Sequence, residues 1–416
     1  MQAQQKTTER NTFLEENLAK VRLRFSQETE LDDERAQELI TETIFDDPEA
    51  FCMPPPALQH CMQKIFWKTR RKLNLLDPLL QDAAVTEIMV NGPENIFVER
   101  HGKIERYPYC FDSIGELEEV LRSIAGQVHR EINELHPIVD ARLPDGSRVN
   151  GVYKNVAING PALTIRKFSE GFMHLADLEA NDTISHSGAK LLRQLVRSGY
   201  NLFVSGGTSS GKTTLLNALA EAIPGQERVV VVEDSMELKM REIENIVHME
   251  CRSSNAAGKG RVTMADLIRS SLRMRPDRII VGEVRGGEVM DMLNGMNTGH
   301  AGMSTGHGNS VEGMLKRLES MYLMAMPLAI DAIRAQIAAG IDIMVHIEKL
   351  EGGQRKVTDI VELVDYSDGK FVLNPLMQLD KQQILTPTGR ALMQTRKMNL
   401  KGASDVQGLC ACSADV

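Results

Sequence analysis

The chain has 416 residues, room for two or three domains at about 150 residues each, with buried cores of useful size. Hydrophobic residues make up 42% and charged residues 25%, close to the globular norm, so a fibrous or wholly disordered chain is excluded. Lys and Arg number 48 against 57 Asp and Glu, and the net charge of −9 is opposite to that of a general polyanion binder. The 22 Met, against 4% aromatics and one Trp, read as packing material. Six cysteines (52, 61, 110, 251, 410 and 412) contain no CxxC pair, so neither a disulfide framework nor a structural zinc site is expected. The opening MQAQQKTTERN lacks an apolar core, and no run of about 18 apolar residues follows, which points to a soluble protein of the reducing cytosol.

Residues 1–76 read as a helical segment, with Leu14, Leu18, Val21 and Phe25, then Leu39, Ile40 and Ile44, at helical spacing and a break at Met53-Pro54-Pro55-Pro56. Its basic run from Lys64 to Lys72 holds Trp67 and reads as the solvated face of an amphipathic helix, or else as a surface for nucleic acid or an acidic partner. Residues 77–168 change to short β-branched runs with turns at Asn91-Gly92-Pro93 and Pro144-Asp145-Gly146, and a helix from Glu116 past Leu121 to Arg130. That is a mixed α+β domain. After a linker at 169–178, residues 179–385 alternate near-continuous apolar strands (NLFVSG, RVVVVED, RIIVGEV) with helices, one opened by a capping box at Thr263 to Asp266. Such strands are buried on both faces, so a parallel sheet covered by helices is predicted. Residues 386–416 form a tail of unknown structure.

Gly206-Gly207-Thr208-Ser209-Ser210-Gly211-Lys212-Thr213 follows a predicted strand, opens a helix and matches GxxxxGK[ST], with Thr214 next. Glycines let backbone N–H groups turn inward around a β-phosphate, and the helix N-terminus adds its dipole. Lys212 is placed to neutralise β- and γ-oxygens and the Thr213 hydroxyl to ligand Mg²⁺. This predicts a nucleoside triphosphate site with Mg²⁺. Two further strands end in Glu233-Asp234 and Gly282-Glu283. In such sheets strand C-termini face the ligand crevice. Gly282 stands where an Asp usually ends the second strand, which leaves Glu283 to orient or deprotonate water and gives the metal to Thr213 and, through water, to Glu233. His307, between glycines after a third strand, is a candidate γ-phosphate sensor; His300 lies in the same box. No NKxD-type base reader is present, which argues against a GTPase.

In that order, GGTSSGKTT, VVVVEDSMEL, RMRPDRIIVGEVRGGE and MNTGHAGMSTGHGNS resemble the type II/type IV secretion ATPases, and most nearly the CpaF/TadA type that powers tight-adherence pili. The resemblance runs from about residue 70 to 375. It implies a RecA-like motor domain behind an N-terminal α+β, PAS-like domain, and a homohexameric ring that works on inner-membrane platform proteins. The protein would then be cytoplasmic and peripheral to the inner membrane through its partners. It also implies that the N-terminal domain supplies arginines to the phosphates, here Arg142, Arg148 and Arg166, since a guanidinium fork stabilises charge spreading over a γ-phosphoryl group; Arg275 and Arg285 are further candidates. The histidine box departs from the family pattern in lacking an acidic residue after its first His. The alternative is a RecA-like nucleic-acid translocase, against which the acidic charge and sparse aromatics weigh. A scaffold that binds ATP without turnover fits less well with both Lys212 and Glu283 present.

Overall fold

The computed structural model describes residues 2–401 apart from positions 29, 101, 129, 168–172, 241, 253 and 255–258, with side chains from residue 12 onward. It divides into two compact units, Met1–Ser169 and Glu170–Val416.

The first unit opens with α1 (Gln2–Phe25), α2 (Asp33–Phe45), α3 (Pro55–Arg70) and the short α4 (Asp77–Gln81). Asp32 caps α2 by accepting from Arg35 N at 2.7 Å. The proline run that reads as a break is instead the start of α3, with Pro54 extended and proline in the first helical turn, where a missing N–H costs nothing. Then come β1 (Val85–Asn91), β2 (Ile96–Arg100), β3 (Lys103–Arg106), α5 (Ile114–Gln127), β4 (Ile138–Arg142), β5 (Arg148–Val152) and β6 (Ala162–Arg166). The sheet order is β3-β2-β1-β6-β5-β4, antiparallel at every pairing. One face is apolar: Ile88, Val90, Val139, Val149, Leu163 and Ile165 pack with Leu117, Leu121 and Ile124 of α5. Leu14, Leu18, Val21, Ile40, Ile44 and Ile65 belong to that same cluster, so the helical lead-in shares its core with the sheet.

The basic run on α3 is neither a solvated face nor an open cationic surface. Lys64 and Lys68 meet Asp112 at 2.5 and 2.8 Å, Lys68 also meets Glu116 at 3.1 Å, and Arg71 meets Asp33 at 2.7 Å. Trp67 is buried, with Tyr109 edge-on at 4.7 Å between ring centroids. The pairs hold Asp112 below the usual carboxylate range against its own burial, which alone would raise it.

The second unit carries α6 (Leu175–Ala180), α7 (His186–Arg197), β7 (Leu202–Gly206), α8 (Lys212–Ala220), β8 (Val229–Glu233), β9 (Ile246–Glu250), α9 (Met264–Ser271) and β10 (Arg278–Val281). It continues with α10 (Glu288–Asn297), β11 (Ala301–His307), α11 (Val311–Ala325), α12 (Ile330–Gly340), β12 (Ile343–Lys349), β13 (Arg355–Ser367), β14 (Lys370–Leu379), β15 (Leu385–Pro387) and α13 (Arg396–Leu400). Its nine-stranded sheet runs β15-β14-β13-β12-β7-β11-β10-β8-β9. From β12 to β9 it is parallel, as the apolar runs predict. Successive residues feed opposite faces. Leu202, Val204, Val229, Val231 and Ile280 join the core under α6, α7 and α8, whereas Phe203, Val230, Val232 and Ile279 join the one under α10, α11 and α12.

Beyond β12 the sheet turns antiparallel. The β13–β14 hairpin closes on Asp368 (φ 53°) and Gly369 (φ 76°), the left-handed pair a two-residue turn needs. From residue 386, as far as it is described, the chain packs on the second unit: Leu392 and Met398 are buried, the buried Glu362 accepts from Gln394 N at 2.7 Å, and Tyr200 Oη donates to Gln394 O at 2.5 Å. Cys410 and Cys412 lie outside the described residues. No single helix among the described residues is long and apolar enough to cross a membrane.

Candidate functional site

The parallel register makes the site. Gly206 pairs with His307, Val281 with both Ser304 and Val232, and Ser205 with His346. The C-terminal ends of β7, β8, β10 and β11 therefore reach one edge of the sheet, where ligands of such folds bind.

Gly206 to Thr214 joins β7 to α8. Ser209 (φ 58°) and Gly211 (φ 97°) are both left-handed, a conformation that is strained for Ser and natural for Gly. A Cβ on Gly206 would sit 2.3 Å from Ile347 O and 2.6 Å from Ser210 Oγ, so that position admits only glycine. Ser210 Oγ is buried without a hydrogen-bond partner, an orphan that a ligand in the loop would satisfy. Thr208 and Ser209 are exposed, and Thr213 and Thr214 are half-buried in the first turn of α8.

Lys212 is buried, donates to Gly207 O at 2.7 Å, and lies 3.3 Å from His307 Nδ1. On the ring's other side, His307 Nε2 lies 2.8 Å from Glu283 Oε1. Glu283 Oε2 accepts from Arg285 Nε at 3.0 Å and Nη2 at 2.7 Å. Lysine, histidine, glutamate and arginine thus form one chain along the mouth of the loop. Burial lowers the Lys212 pKa despite the nearby Glu283 carboxylate. Burial also lowers that of His307; Glu283 opposes the shift, and Lys212, Arg285 and Arg317 reinforce it. A neutral His307 can then accept at Nδ1 from the Lys212 ammonium.

Glu233 is buried, and its Oε1 accepts from Glu237 N at 2.9 Å and Leu238 N at 3.1 Å. It fills the space beside Gly282, where a Cβ would meet Glu233 Cγ at 2.9 Å. That contact explains why glycine replaces the customary acidic residue. Thr305 Oγ1 donates to Gly282 O at 2.7 Å and pins the same strand end.

Arg142, Arg148 and Arg166 are brought together in the first unit. Arg142 stands opposite Arg148, and Arg148 opposite Arg166, so all three share the sheet face that points away from the core. Arg275 lies instead before β10, at the end of that strand away from Glu283. His300, before β11, makes local contacts with Gly295 O and Thr298 Oγ1 at 3.2 Å each; it lies at the opposite end of the strand from His307. Two residues near the loop were not named as site residues from the sequence: Arg317 on α11, whose charge reaches His307, and Arg355, whose Nε donates to Ser209 O at 3.0 Å. Tertiary structure brings both to the loop.

A family model described as type II/IV secretion system protein matches residues 69–352. The chain is 33% identical over 296 residues to a putative conjugal transfer protein of Mycobacterium tuberculosis, covering 70% of this chain and 84% of that one. It is 32% identical to the conjugal transfer protein TrbB of Rhizobium radiobacter, covering 73% and 91%, and 32% identical to the type IV secretion system protein PtlH of Bordetella pertussis, covering 69% and 93%. Among solved structures, the Legionella pneumophila ATPase DotB superposes with a TM-score of 0.52 at 21% identity, covering 72% of this chain and 83% of that one. The pilus retraction motor PilT gives 0.51 at 20% identity, covering 71% and 83%. These likenesses carry the fold: an α/β P-loop unit of the RecA-like kind behind a helical and sheet-bearing N-terminal region.

Proposed function

The chain belongs to the type II/IV secretion system protein family, and from that premise we propose that it is an ATP-hydrolysing motor driving a secretion or pilus-assembly machine. The observation that carries the proposal is the chain Lys212, His307, Glu283 at the mouth of the phosphate-binding loop. A glycine loop alone would serve any nucleotide-binding protein; a carboxylate held beside it by a histidine and an arginine serves hydrolysis.

The loop amides from Gly207 to Thr213 and the Lys212 ammonium would receive the β- and γ-phosphates. Glu283 would orient the attacking water and accept its proton. His307, between the lysine that meets the phosphate and the glutamate that meets the water, would register whether a γ-phosphate is present. Glu233, held by two backbone amides, would keep the strand end in place and meet the metal shell through water. Mg²⁺ fits here as a metal that arrives with the nucleotide: Thr213 offers a hydroxyl, and among the described residues no cluster of three His, Cys, Asp or Glu could cage an ion alone. When bound, it would supply charge neutralisation at the phosphates. Arg142, Arg148 and Arg166 are assigned to the negative charge of the transferred phosphoryl group, supplied by one subunit of a homohexamer to another.

Within the family, the CpaF/TadA branch is the finer reading, supported by the motifs and by the absence of a tetracysteine module. The motor would work at the cytoplasmic face of the inner membrane through a polytopic platform protein. The basic run from Lys64 to Lys72 gives the nucleic-acid alternative little support, since Lys64, Lys68 and Arg71 are ion-paired within their own unit.

The test is Mg²⁺-dependent ATP hydrolysis by the purified full-length chain, with and without the detergent-solubilised platform protein or single-stranded DNA. Turnover raised by the platform protein is expected. Stimulation by DNA alone would replace the motor with a translocase.

A further inference from the structure

We propose that Arg355 is a positioning residue that holds the peptide between Ser209 and Ser210 in the orientation that receives phosphate. The inference rests on the reading of the loop as a nucleotide site. It concerns a residue beyond the span matched by the family model, which ends at 352.

Arg355 begins β13, opposite Lys349 across the hairpin that follows β12. Because β12 lies beside β7, with Ile347 paired to Gly206, this hairpin stands against the phosphate-binding loop. Arg355 Nε donates to Ser209 O at 3.0 Å. Its Cδ would lie 3.2 Å from a Cβ at Gly211, so the side chain runs flat along the outside of the loop.

The carbonyl of Ser209 and the N–H of Ser210 belong to one planar trans peptide and point in opposite directions. A cation that fixes the carbonyl outward therefore fixes the N–H inward, where a phosphate oxygen sits. It also polarises the peptide in the sense that favours an anion on the N–H side. The contact is needed because Ser209 is left-handed (φ 58°) without being glycine. Such a residue gains by flipping the adjacent peptide unless its surroundings over-determine it. No other hydrogen bond to the Ser209 carbonyl is formed by a side chain of the described residues. Arg355 itself is exposed, so its removal empties no core.

The experiment compares wild type, Arg355→Ala, Arg355→Gln and Lys212→Ala as full-length proteins, measuring ADP and ATP binding by calorimetry, steady-state hydrolysis, and melting without nucleotide. Arg355→Ala is expected to weaken ADP and ATP binding and raise KM about tenfold, the worth of one charge-assisted hydrogen bond. Its kcat should stay within about twofold and its melting temperature close to that of wild type. Arg355→Gln, which keeps a donor without the charge, should recover part of the loss. Nucleotide affinity within about twofold of wild type in Arg355→Ala would overturn the inference, and so would a fall in kcat at unchanged KM, which belongs to a group touching the γ-phosphate. If wild type binds no nucleotide, or Lys212→Ala binds as well as wild type, the site reading itself fails, an outcome distinct from either of these.

Discussion

Gly282 offers the sharpest test of how the site is packed. A Cβ there would stand 2.9 Å from Glu233 Cγ, well inside the roughly 3.5–4.0 Å at which carbon atoms rest, with Oε1 at 3.3 Å and Cδ at 3.5 Å. Glu233 cannot swing away, because Oε1 is held by the amides of Glu237 and Leu238 and the residue is 3% exposed. Gly282→Ala should therefore cost about 1–3 kcal/mol of overpacking, which for a unit of this size lowers the melting temperature by about 2–12 °C. Gly282→Asp, which installs the customary acidic residue, should do worse. It adds a second carboxylate about 4 Å from the first, worth about 4 kcal/mol of repulsion at an effective dielectric near 20. Melting followed by circular dichroism, with nucleotide binding alongside, measures both. The gap between the two variants should narrow as pH falls from about 7 to about 5 and one carboxyl takes up a proton. A Gly282→Asp protein that melts with wild type and binds nucleotide normally would refute the argument.

Glu283→Gln should leave ATP binding within about twofold and lower turnover by about 10²–10⁴, the usual range for a general base; unchanged turnover removes Glu283 from the chemistry. Burial holds His307 below its ordinary 6.5, so below that pH the unfolded chain takes up the proton first. Wild type should thus lose stability relative to His307→Asn as pH falls from about 7 towards 5, and parallel pH profiles would show that His307 is not held neutral. Arg148→Ala subunits mixed with Lys212→Ala subunits should regain part of the lost turnover if one chain completes the site of another, whereas no rescue at any ratio would confine each site to a single chain.

Much of the second unit was legible because its rules are local. The glycine loop, the capping box at Thr263 (3.2 Å to Asp266 N) and the apolar runs of β7, β8 and β10 each declare themselves within ten residues. The antiparallel extension was harder, since β13 is a long strand of mixed burial and the turn at Asp368-Gly369 was not singled out. Methionine as packing material holds for Met292, Met296, Met303, Met314 and Met321, which are buried, but Met324 and Met326 are exposed, and periodicity does not separate the two sets. Arg355 was out of reach, because nothing in its neighbourhood distinguishes it from any surface arginine. The same holds for Lys64 and Lys68, whose partner Asp112 lies over forty residues away.

Charge is arranged, not merely counted, on the polar face of the first sheet. Along one row stand Arg142, Arg148 and Arg166, followed by Glu87 and Glu99. Like charges directly opposite one another destabilise a sheet by up to about 1 kcal/mol per pair, and opposite charges stabilise it by a similar amount. The row contains two Arg–Arg neighbours and one Glu–Glu neighbour, with a single favourable junction where Arg166 meets Glu87. Exchanging Arg148 with Glu99 would turn all four neighbours into opposite-sign pairs with no change in composition or net charge. A chain with a net charge of −9 has no surplus of cations, yet it sets three side by side in one row. On the proposed reading a polyphosphate lies against them, because a ligand with several negative charges draws on all three guanidinium groups at once.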